Sequence, residues 1–230
     1  MKALGRHPAP IIHREAQMKF LTHTYAQLGQ DILLHNMMQR RREEADINTG
    51  FYIDIGAYHP TKISNTYHFY QLGWSGLCVD PNPETEAAFK GERPRDKFVR
   101  CALSDQNGTL KYWRFRAATQ NTCDPKVGER RRRKTPQNFI SIDDVPVRTL
   151  DSVIKAAKLT QIDFLSIDVE GLELQILRGF DLKKHQPVAV VLESMERPLE
   201  HGKGKIFQVM SDAGYELVAH TGHDAYYLRV

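Results

Sequence analysis

The stretch Phe51-Tyr-Ile-Asp-Ile-Gly-Ala-Tyr-His-Pro60 has the pattern of a short apolar strand that ends at an acid and a glycine turn. A helix is expected to begin soon afterwards, near Ser64-Asn65, because both residue types cap helices well. In an open parallel sheet, ligands bind where the carboxyl end of a strand passes into a helix, because loop amides converge there. Asp54 and Gly56 therefore mark the first candidate site.

Two later strands also end on acids. Leu77-Cys-Val-Asp80 is one, and Asn82-Pro83 follows as the cap and first residue of a helix. In dinucleotide-binding folds, the acid at the end of the second strand binds the ribose hydroxyls, roughly 20 residues after the glycine turn, and Asp80 fits that role. Ile162-Asp-Phe-Leu-Ser-Ile-Asp168 is the other strand, and a helix is predicted over residues 169–178.

The rest of the chain continues this alternation of strands and helices. A helix is expected from Tyr25 to the arginine-rich segment before Gly50, with an apolar stripe of Leu28, Ile32, Leu33, Met37 and Met38. Strands are predicted over residues 97–103, 109–115, 140–147 and 187–192, a closing hairpin over 215–219 and 226–230, and helices over 65–72, 83–90, 150–158 and 206–212. This order predicts an α/β fold with a mainly parallel, doubly wound sheet over residues 49–230, preceded by a lead-in and helix over 1–48.

Positive charge is concentrated in two blocks, Arg40-Arg-Arg42 and Arg130-Arg-Arg-Arg-Lys134, although the net charge is only +4. The second block lies in residues 119–138, a polar stretch broken by Pro125 and Pro136, which we interpret as a long surface loop. Such a block can bind an anionic substrate or polymer, or it can be a solvated loop without a partner. No aromatic residues alternate with the arginines, so binding of nucleic acid is not expected.

The composition is that of a soluble globular protein, with 41% hydrophobic and 26% charged residues among 230. No apolar run reaches the roughly 18 residues of a membrane span. Pro8 and Pro10 stand where a signal peptide would have its apolar core. Cys78, Cys101 and Cys123 lack metal-ligand spacing and fit a reducing compartment. We therefore expect a cytoplasmic protein without a membrane span.

The glycine turn constrains the ligand. It lacks the spacing of a pyrophosphate cradle, because Tyr58 and Pro60 occupy positions where small residues would be needed, and it lacks the lysine of a P-loop. A nucleoside without phosphates would suit the site, with its ribose at Asp80 and a charged tail near the Asp54 turn.

Further motifs accompany these strand ends in a fixed order. They are Tyr25-Ala-Gln-Leu-Gly-Gln-Asp31, Asp54-Ile-Gly-Ala-Tyr-His-Pro60 with Ser64-Asn-Thr-Tyr67, Gly73-Trp-Ser-Gly76 with Asp80-Pro-Asn-Pro83, Ala102-Leu-Ser104, Thr149-Leu-Asp151 and Asp163-Phe-Leu-Ser-Ile-Asp-Val-Glu-Gly-Leu-Glu173. Together these residues resemble the FkbM-type S-adenosylmethionine-dependent methyltransferases. The resemblance extends from about Tyr25 to Gly179 and leaves out the basic stretch and the turn from His220 to Asp224.

The resemblance implies a Rossmann-like methyltransferase sheet of seven strands with the last one antiparallel, an N-terminal helical arm and a β-hairpin insertion. It also implies S-adenosylmethionine as cofactor and a hydroxyl on a small molecule, a sugar, a glycan or a secondary metabolite as acceptor. By the same resemblance, the cofactor would contact Asp54, Gly56, Ala57, Tyr58, Asn65, Asp80, Pro81, Asn82, Ala102, Leu103, Ser104 and Asp168. Among these, the methionine portion is assigned to the glycine turn, the ribose to Asp80 and the adenine to Ala102, Leu103 and Ser104.

An alcohol must lose its proton as the new bond forms, and a carboxylate or histidine within hydrogen-bond reach can accept that proton. The candidates, in order, are Asp168, Glu170 and His59, with Glu193 fourth. Glu170 is expected at the amino end of the helix that begins near Gly171, where the helix dipole favours a charged carboxylate.

These acids and histidines also have simpler interpretations. Glu170 and Glu173 can cap their helix or pair with nearby basic residues, and His59 can shape the turn before Pro60. His220 and His223 with Asp224 lie in a short turn where no metal site is expected.

Two other functional classes remain open. A nicotinamide-dependent oxidoreductase could use the same sheet, although the pyrophosphate glycines are missing. A binding protein could retain the fold without turnover and recruit an anionic polymer through residues 130–134. Neither the acceptor nor the oligomeric state can be read from the sequence, because specificity in such folds comes from loops.

Overall fold

The computed structural model describes residues 23–41, 49–194 and 203–230, without the side chains of residues 40 and 41. The predicted lead-in over residues 1–18 lies outside these residues, as do the side chains of the Arg40-Arg-Arg42 block. Within the described residues, no helix has the length and hydrophobicity needed to cross a membrane.

The described elements follow the predicted alternation. The strands are β1 (Phe51–Ile55), β2 (Ser75–Val79), β3 (Lys97–Val99), β4 (Ala102–Leu103), β5 (Gly108–Phe115), β6 (Phe139–Arg148), β7 (Phe164–Ile167), β8 (Ala189–Glu193), β9 (Tyr215–His220) and β10 (Asp224–Arg229). The helices are α1 (Gln30–Arg41), α2 (Tyr67–Gln71), α3 (Pro83–Glu92), α4 (Pro125–Lys134), α5 (Leu150–Ala157), α6 (Glu173–Arg178), α7 (Leu182–His185) and α8 (Lys205–Asp212), with short 3-10 helices at Ala118–Gln120 and Pro136–Asn138.

The larger sheet has seven strands in the order β3-β2-β1-β7-β8-β10-β9. β1 lies near its centre and pairs in parallel with β2 and β7, whereas β10 runs antiparallel to both β8 and β9. The predicted seven-stranded sheet with an antiparallel last strand is confirmed. The strand order reverses between β1 and β7, and ligands of open α/β sheets bind at such a point.

Strand β1 is apolar on both sides because the sheet is covered on both faces. Successive side chains of a strand point to opposite faces, so Tyr52 packs in one core cluster while Ile53 and Ile55 pack in the other. Leu34 of α1 joins the first cluster and Val153 of α5 joins the second. Full burial of such side chains contributes about 1.5–3 kcal/mol each to folding.

A second sheet of three strands, in the order β4-β6-β5, is formed by the part of the chain that follows β3. β5 and β6 pair antiparallel, as predicted. The prediction of one strand over residues 97–103 is wrong, because β3 belongs to the large sheet and β4 pairs with β6. The Cys101 N–H donates to the Val99 carbonyl at 3.2 Å, and this turn separates the two strands.

The prediction that residues 119–138 form a long loop is wrong, because α4 occupies the middle of the segment. The Asp124 carboxylate accepts hydrogen bonds from two N–H groups of the first turn, and Pro125 takes the first helical position, where a missing N–H has no cost. Glu129 pairs with the arginines three and four residues later, which adds support along the helix. The proline that suggested a loop therefore begins a helix.

Helix α1 begins at Gln30 and not at Tyr25 as predicted. The Asp31 carboxylate accepts hydrogen bonds from the Tyr25 N–H at 2.8 Å and from the Thr24 hydroxyl at 2.5 Å, which holds that segment outside the helix. Leu28, predicted for the buried stripe, is exposed as a result.

Candidate active site

A cavity opens at the carboxyl ends of β1, β2 and β7, between the large and the small sheet. It encloses about 880 Å³ of space including its open mouth. Its lining residues are Gln27, Ile55, Gly56, Tyr58, Ile63, Val79, Asp80, Pro81, Asn82, Thr85, Cys101, Ala102, Leu103, Tyr112, Ala118, Thr119, Asn121, Thr122, Cys123, Asp168, Val169, Glu170 and Leu172. The cavity therefore lies at the predicted edge of the sheet, where ligands of such folds bind.

The glycine turn after β1 forms the floor of the cavity. Gly56 has φ of +80°, and a Cβ built on it would lie 1.7 Å from the backbone oxygen of Asp168. Any other residue would push β1 and β7 apart, so this position requires glycine for close approach as well as for conformation. Tyr58 also has a positive φ, 47°, and its side chain lines the cavity.

Asp80 joins the loops after β1 and β2. Its carboxylate accepts hydrogen bonds from the Asn82 N–H at 2.7 Å and from the Tyr58 N–H at 3.1 Å. Burial raises the pKa of Asp80 to about 6, although both hydrogen bonds act in the opposite direction. Each carboxylate oxygen accepts one backbone hydrogen bond and keeps a lone pair for a ligand.

Asp54 lies at the end of β1 but does not line the cavity. Its carboxylate is buried and accepts a hydrogen bond from the Thr66 hydroxyl at 2.5 Å. Arg93, whose side chain is also buried, donates to the same hydroxyl at 3.0 Å and to the Pro60 carbonyl at 3.1 Å. Asp54 thus belongs to a network that holds the loop between β1 and α2, behind the cavity wall.

Three other predicted cofactor contacts also lie outside the cavity lining. Ala57 is buried in the core cluster on the α1 side, and Asn65 donates to the Ser166 hydroxyl at 3.1 Å. The Ser104 backbone lies against Gly179. The remaining predicted contacts, Gly56, Tyr58, Asp80, Pro81, Asn82, Ala102, Leu103 and Asp168, all line the cavity.

His59, the third predicted catalytic residue, is engaged in its own turn. Its Nδ1 accepts hydrogen bonds from the N–H groups of Thr61 at 3.1 Å and Lys62 at 3.2 Å, and the residue does not line the cavity. Burial lowers the pKa of His59. The side chain therefore shapes the turn around Pro60.

Three carboxylates meet at the other side of the cavity. Oxygens of Asp168, Glu170 and Glu193 lie within 4.8 Å of one another, a spacing at which carboxylates can also share a cation. Asp168 is exposed to the cavity, yet the surrounding protein limits its hydration and, together with the charge of Glu170, raises its pKa to about 7. Burial, followed by the charge of Asp168, raises the pKa of Glu193 to about 8. Close carboxylates cannot all ionise readily, so protons are retained here near neutral pH.

Glu170 does not lie at a helix amino end, contrary to the prediction. It has φ of 61°, and α6 begins only at Glu173. The Glu173 carboxylate accepts from the N–H groups of Val169 and Gly171, so it holds the turn that precedes α6 and does not cap the helix. Glu170 instead pairs with Arg131 of α4 at 2.5 Å.

The small sheet and its insertion supply a wall that the sequence did not predict. Tyr112 of β5 and residues Asn121, Thr122 and Cys123 line the cavity opposite the glycine turn. The Thr122 hydroxyl donates to the Glu170 carbonyl at 3.0 Å, which attaches this wall to the loop after β7. The three residues lie in a polar stretch without periodicity, so no sequence signal marked them.

The chemistry of the lining fits S-adenosylmethionine. Asp80, Asp168 and Glu170 place negative charge around a cavity that contains no lysine or arginine among its described lining residues. Such a field favours a ligand with positive charge and without phosphates, and the Gly56 cradle, which a Cβ would fill, admits close backbone approach.

Comparison with known proteins agrees with this description. Residues 54–217 match the methyltransferase FkbM domain. No curated protein matches the chain. Among solved structures, the precorrin-6y C5,15-methyltransferase from Geobacter metallireducens GS-15 is 12% identical, with a TM-score of 0.43 over 86% of this chain and 88% of that one. A duf574 family protein from Streptomyces avermitilis MA-4680 is 12% identical, with a TM-score of 0.41 over 87% and 83%.

Proposed function

The chain belongs to the FkbM methyltransferase family, with S-adenosylmethionine as its methyl donor, and we propose that it methylates a hydroxyl on a sugar, a glycan or a secondary metabolite. The observation that carries this proposal is Asp168. Its carboxylate lies at the end of β7 on the cavity lining, with a pKa raised to about 7 by burial and by Glu170. A carboxylate of that pKa is a stronger base than an ordinary aspartate and is still partly ionised at neutral pH.

The residues of the cavity suggest how the cofactor is held. In this proposal the Gly56 turn receives the methionine portion, Asp80 binds the ribose hydroxyls, and Ala102 and Leu103 pack against the adenine. When bound, S-adenosylmethionine supplies an electrophilic methyl carbon on a positively charged sulfur. The carboxylates around the cavity stabilise that positive charge, and the backbone at Gly56 leaves room for close contact.

Asp168 accepts the proton of the acceptor hydroxyl as the oxygen forms its new bond to carbon. The proton would pass from the hydroxyl to the carboxylate, and the bond from the methyl carbon to the sulfonium sulfur would break with its electron pair left on S-adenosylhomocysteine, so the products would be an ether and S-adenosylhomocysteine. Glu193 has the higher pKa, about 8, so it is the member of the pair that holds a proton while Asp168 is ionised. Alignment of the acceptor oxygen in the cavity lowers the barrier further, by up to several kcal/mol.

A thermal-shift experiment tests the cofactor site and separates the proposal from the oxidoreductase alternative. S-adenosylhomocysteine at about 100 times its Kd should stabilise the protein by about 2.7 kcal/mol, which raises Tm by roughly 5–10 °C in a domain of this size. NAD at the same concentration should leave Tm unchanged. Asp80→Asn, which keeps the shape of the side chain, should reduce the shift. Stabilisation by NAD alone would contradict the proposal.

A labelling experiment tests the chemistry. The protein is incubated with S-adenosylmethionine carrying a labelled methyl group and with a panel of oligosaccharides and hydroxylated metabolites. The label should enter an ether, which resists mild alkali, and Asp168→Asn should reduce the rate by about 100-fold or more. Label in an amine or in an alkali-labile ester would show that the acceptor is not a hydroxyl.

A further inference from the structure

Helix α4 has a basic face that the fold does not use. Lys126, Arg130 and Lys134 recur every four residues and so form one row along the helix, with Arg133 beside them. All four side chains are exposed and line a shallow groove together with Glu129. Arg133 pairs with Glu129, whereas the three residues of the row have no ion-pair partner in the part of the chain that the structure describes.

The helix that carries this basic face follows the cavity wall in the chain. Thr122 and Cys123 line the cavity, and Asp124, the next residue, caps α4. Arg131 lies about 100° around the helix from Arg130 and pairs with Glu170 of the carboxylate cluster. Helix α4 is therefore attached to a loop that lines the cavity, and the basic row lies on an adjacent, exposed face of this helix.

The cavity and the helix have opposite charge. Carboxylates surround the cavity, so an anionic group would be repelled from it, whereas the row on α4 would attract that group. A molecule with an uncharged hydroxyl at one end and anionic groups farther along would be oriented with its hydroxyl in the cavity. Electrostatic complementarity of this kind selects a partner and its orientation.

We propose that the basic face of α4 binds the sulfate, phosphate or carboxylate groups of an anionic glycan, whose hydroxyl is the one that is methylated. The inference rests on the proposed function and specifies its substrate class. The row from Lys126 to Lys134 spans eight residues of helix, about 12 Å, and so matches several charges spaced along an extended chain.

The chemistry of the face favours a glycan over other anionic partners. Nucleic-acid surfaces combine positive charge with aromatic platforms, and no aromatic side chain lines this groove. A membrane-binding helix needs an apolar side, but Val127 of α4 faces Gly171 and Gly128 packs on Trp113. Charge without apolar surface fits a hydrated, flexible glycan.

Binding of a heparin octasaccharide, a densely sulfated glycan, tests the proposal by calorimetry at low and at physiological salt. A dextran oligosaccharide of equal length serves as the neutral probe. The variant K126Q/R130Q/K134Q removes the row, and K155Q/K183Q/K184Q removes three exposed lysine charges from α5 and α7 as the matched control. Glutamine maintains helix propensity, and circular dichroism verifies folding. Titration with S-adenosylhomocysteine is carried out on all three proteins.

The wild type should bind heparin but not dextran, more weakly at higher salt. The α4 variant should lose about tenfold in affinity and the control variant less than twofold. Absence of binding, or equal loss in both variants, would overturn the proposal, as would tighter α4-dependent binding of a single-stranded DNA of similar charge. If heparin binding depends on α4 but S-adenosylhomocysteine does not bind, the result contradicts the proposed methylation and supports the proposed binding of an anionic glycan by α4.

Discussion

Asp168 is the residue at which the strand end, the cavity and the carboxylate cluster meet. It lines the cavity, and its neighbours Glu170 and Glu193 lie on the loop after β7 and at the end of β8. Glu170 has a cation beside it, Arg131, whereas Asp168 and Glu193 have raised pKa values of about 7 and 8, caused first by burial. The residue that ionises first then opposes ionisation of the second.

This order of ionisation predicts an asymmetry between two variants. Asp168→Asn should lower the pKa of Glu193 from about 8, because the negative charge of Asp168 disappears. Glu193→Gln should change the pKa of Asp168 much less, since Glu193 is still protonated while Asp168 titrates. Carboxyl carbon chemical shifts, followed by NMR between pH 4 and about 9, measure both values. Equal shifts in the two variants would show that the order is wrong.

Gly56 provides a second test at the scale of one residue. Gly56→Ala should destabilise the protein by at least about 2 kcal/mol and abolish binding of S-adenosylhomocysteine, because the new Cβ meets the Asp168 oxygen at 1.7 Å and φ is positive. Gly91→Ala is the matched control, since nothing lies within 4 Å of its Cβ and the residue is in α3. That change should be neutral or stabilise by up to about 0.5 kcal/mol. Urea unfolding measures the stability of both variants. A Gly56→Ala variant as stable as the wild type would contradict the close approach of the Gly56 and Asp168 backbones.

At the scale of elements, the insertion between β5 and β6 supplies part of the cavity wall. α4 packs Gly128 against Trp113 of β5 and reaches the loop after β7 through Arg131 and Glu170. Arg131 also donates to the Gln120 carbonyl at 2.8 Å. One side chain therefore joins the insertion to the carboxylate cluster.

Arg131→Gln should loosen this connection without unfolding the domain. We expect faster amide hydrogen exchange in residues 122–135 and 169–172, because the ion pair and the hydrogen bond that join them are lost. Arg133→Gln is the control, since the ion pair that Arg133 makes in the described part of the chain is with Glu129, inside α4. Hydrogen-exchange mass spectrometry measures both variants. Unchanged exchange in Arg131→Gln would show that other contacts hold the insertion in place.

The same insertion shows why the sequence predicts some helices and not others. Asp124-Pro125 is a helix-start signal, but the polar, arginine-rich composition of residues 119–138 and their two prolines favour a surface loop. α4 is stabilised by its cap, by Glu129 with the arginines one turn later, and by packing on β5, of which only the last requires tertiary structure. The helix was therefore partly visible in the sequence, whereas its contact with Glu170 was not.

For the whole molecule, the raised carboxylate pKa values predict a pH dependence of stability. Asp168 and Glu193 have folded-state pKa values of about 7 and 8, above their ordinary values, so the folded protein holds protons that the unfolded chain has released. Their stabilising contribution is present at low pH and is lost as pH rises through 7 and 8. His35, whose pKa burial lowers to about 4, acts in the opposite direction, but only between about pH 4 and 6.5.

The free energy of unfolding should therefore fall as pH rises from about 7 to 8, where His35, His59 and His68, whose pKa values are all lowered by burial, contribute little slope because the unfolded histidines are then mostly neutral. The double variant D168N/E193Q should flatten this part of the curve. Asp144→Asn, which removes one exposed carboxylate paired with Lys111, is the control and should leave the slope as in the wild type. Urea titrations at several pH values measure the effect. A wild-type stability that rises over this interval would contradict the raised pKa values.

Apart from α4 and the break between β3 and β4, the sequence by itself determined the order of strands and helices, the large sheet and the edge at which the cavity lies. Apolar strands that end on Asp80 and Asp168, and a glycine turn between them in the sheet, carry this information locally. Each signal depends on side-chain polarity and backbone freedom within a few residues, which is why it can be read without a structure.

Only the tertiary structure decided which side chains face the cavity. Asp54 and His59 follow the predicted strand yet turn into their own loop network, whereas Glu193 joins Asp168 because β7 and β8 are neighbours. The end of a strand determines where the backbone of a residue lies. The direction of its side chain depends on local backbone dihedral angles, such as the φ of 61° at Glu170. Thr122 reaches the cavity, and α4 reaches Glu170 through Arg131, by contacts between residues distant in sequence, and such contacts leave no local pattern.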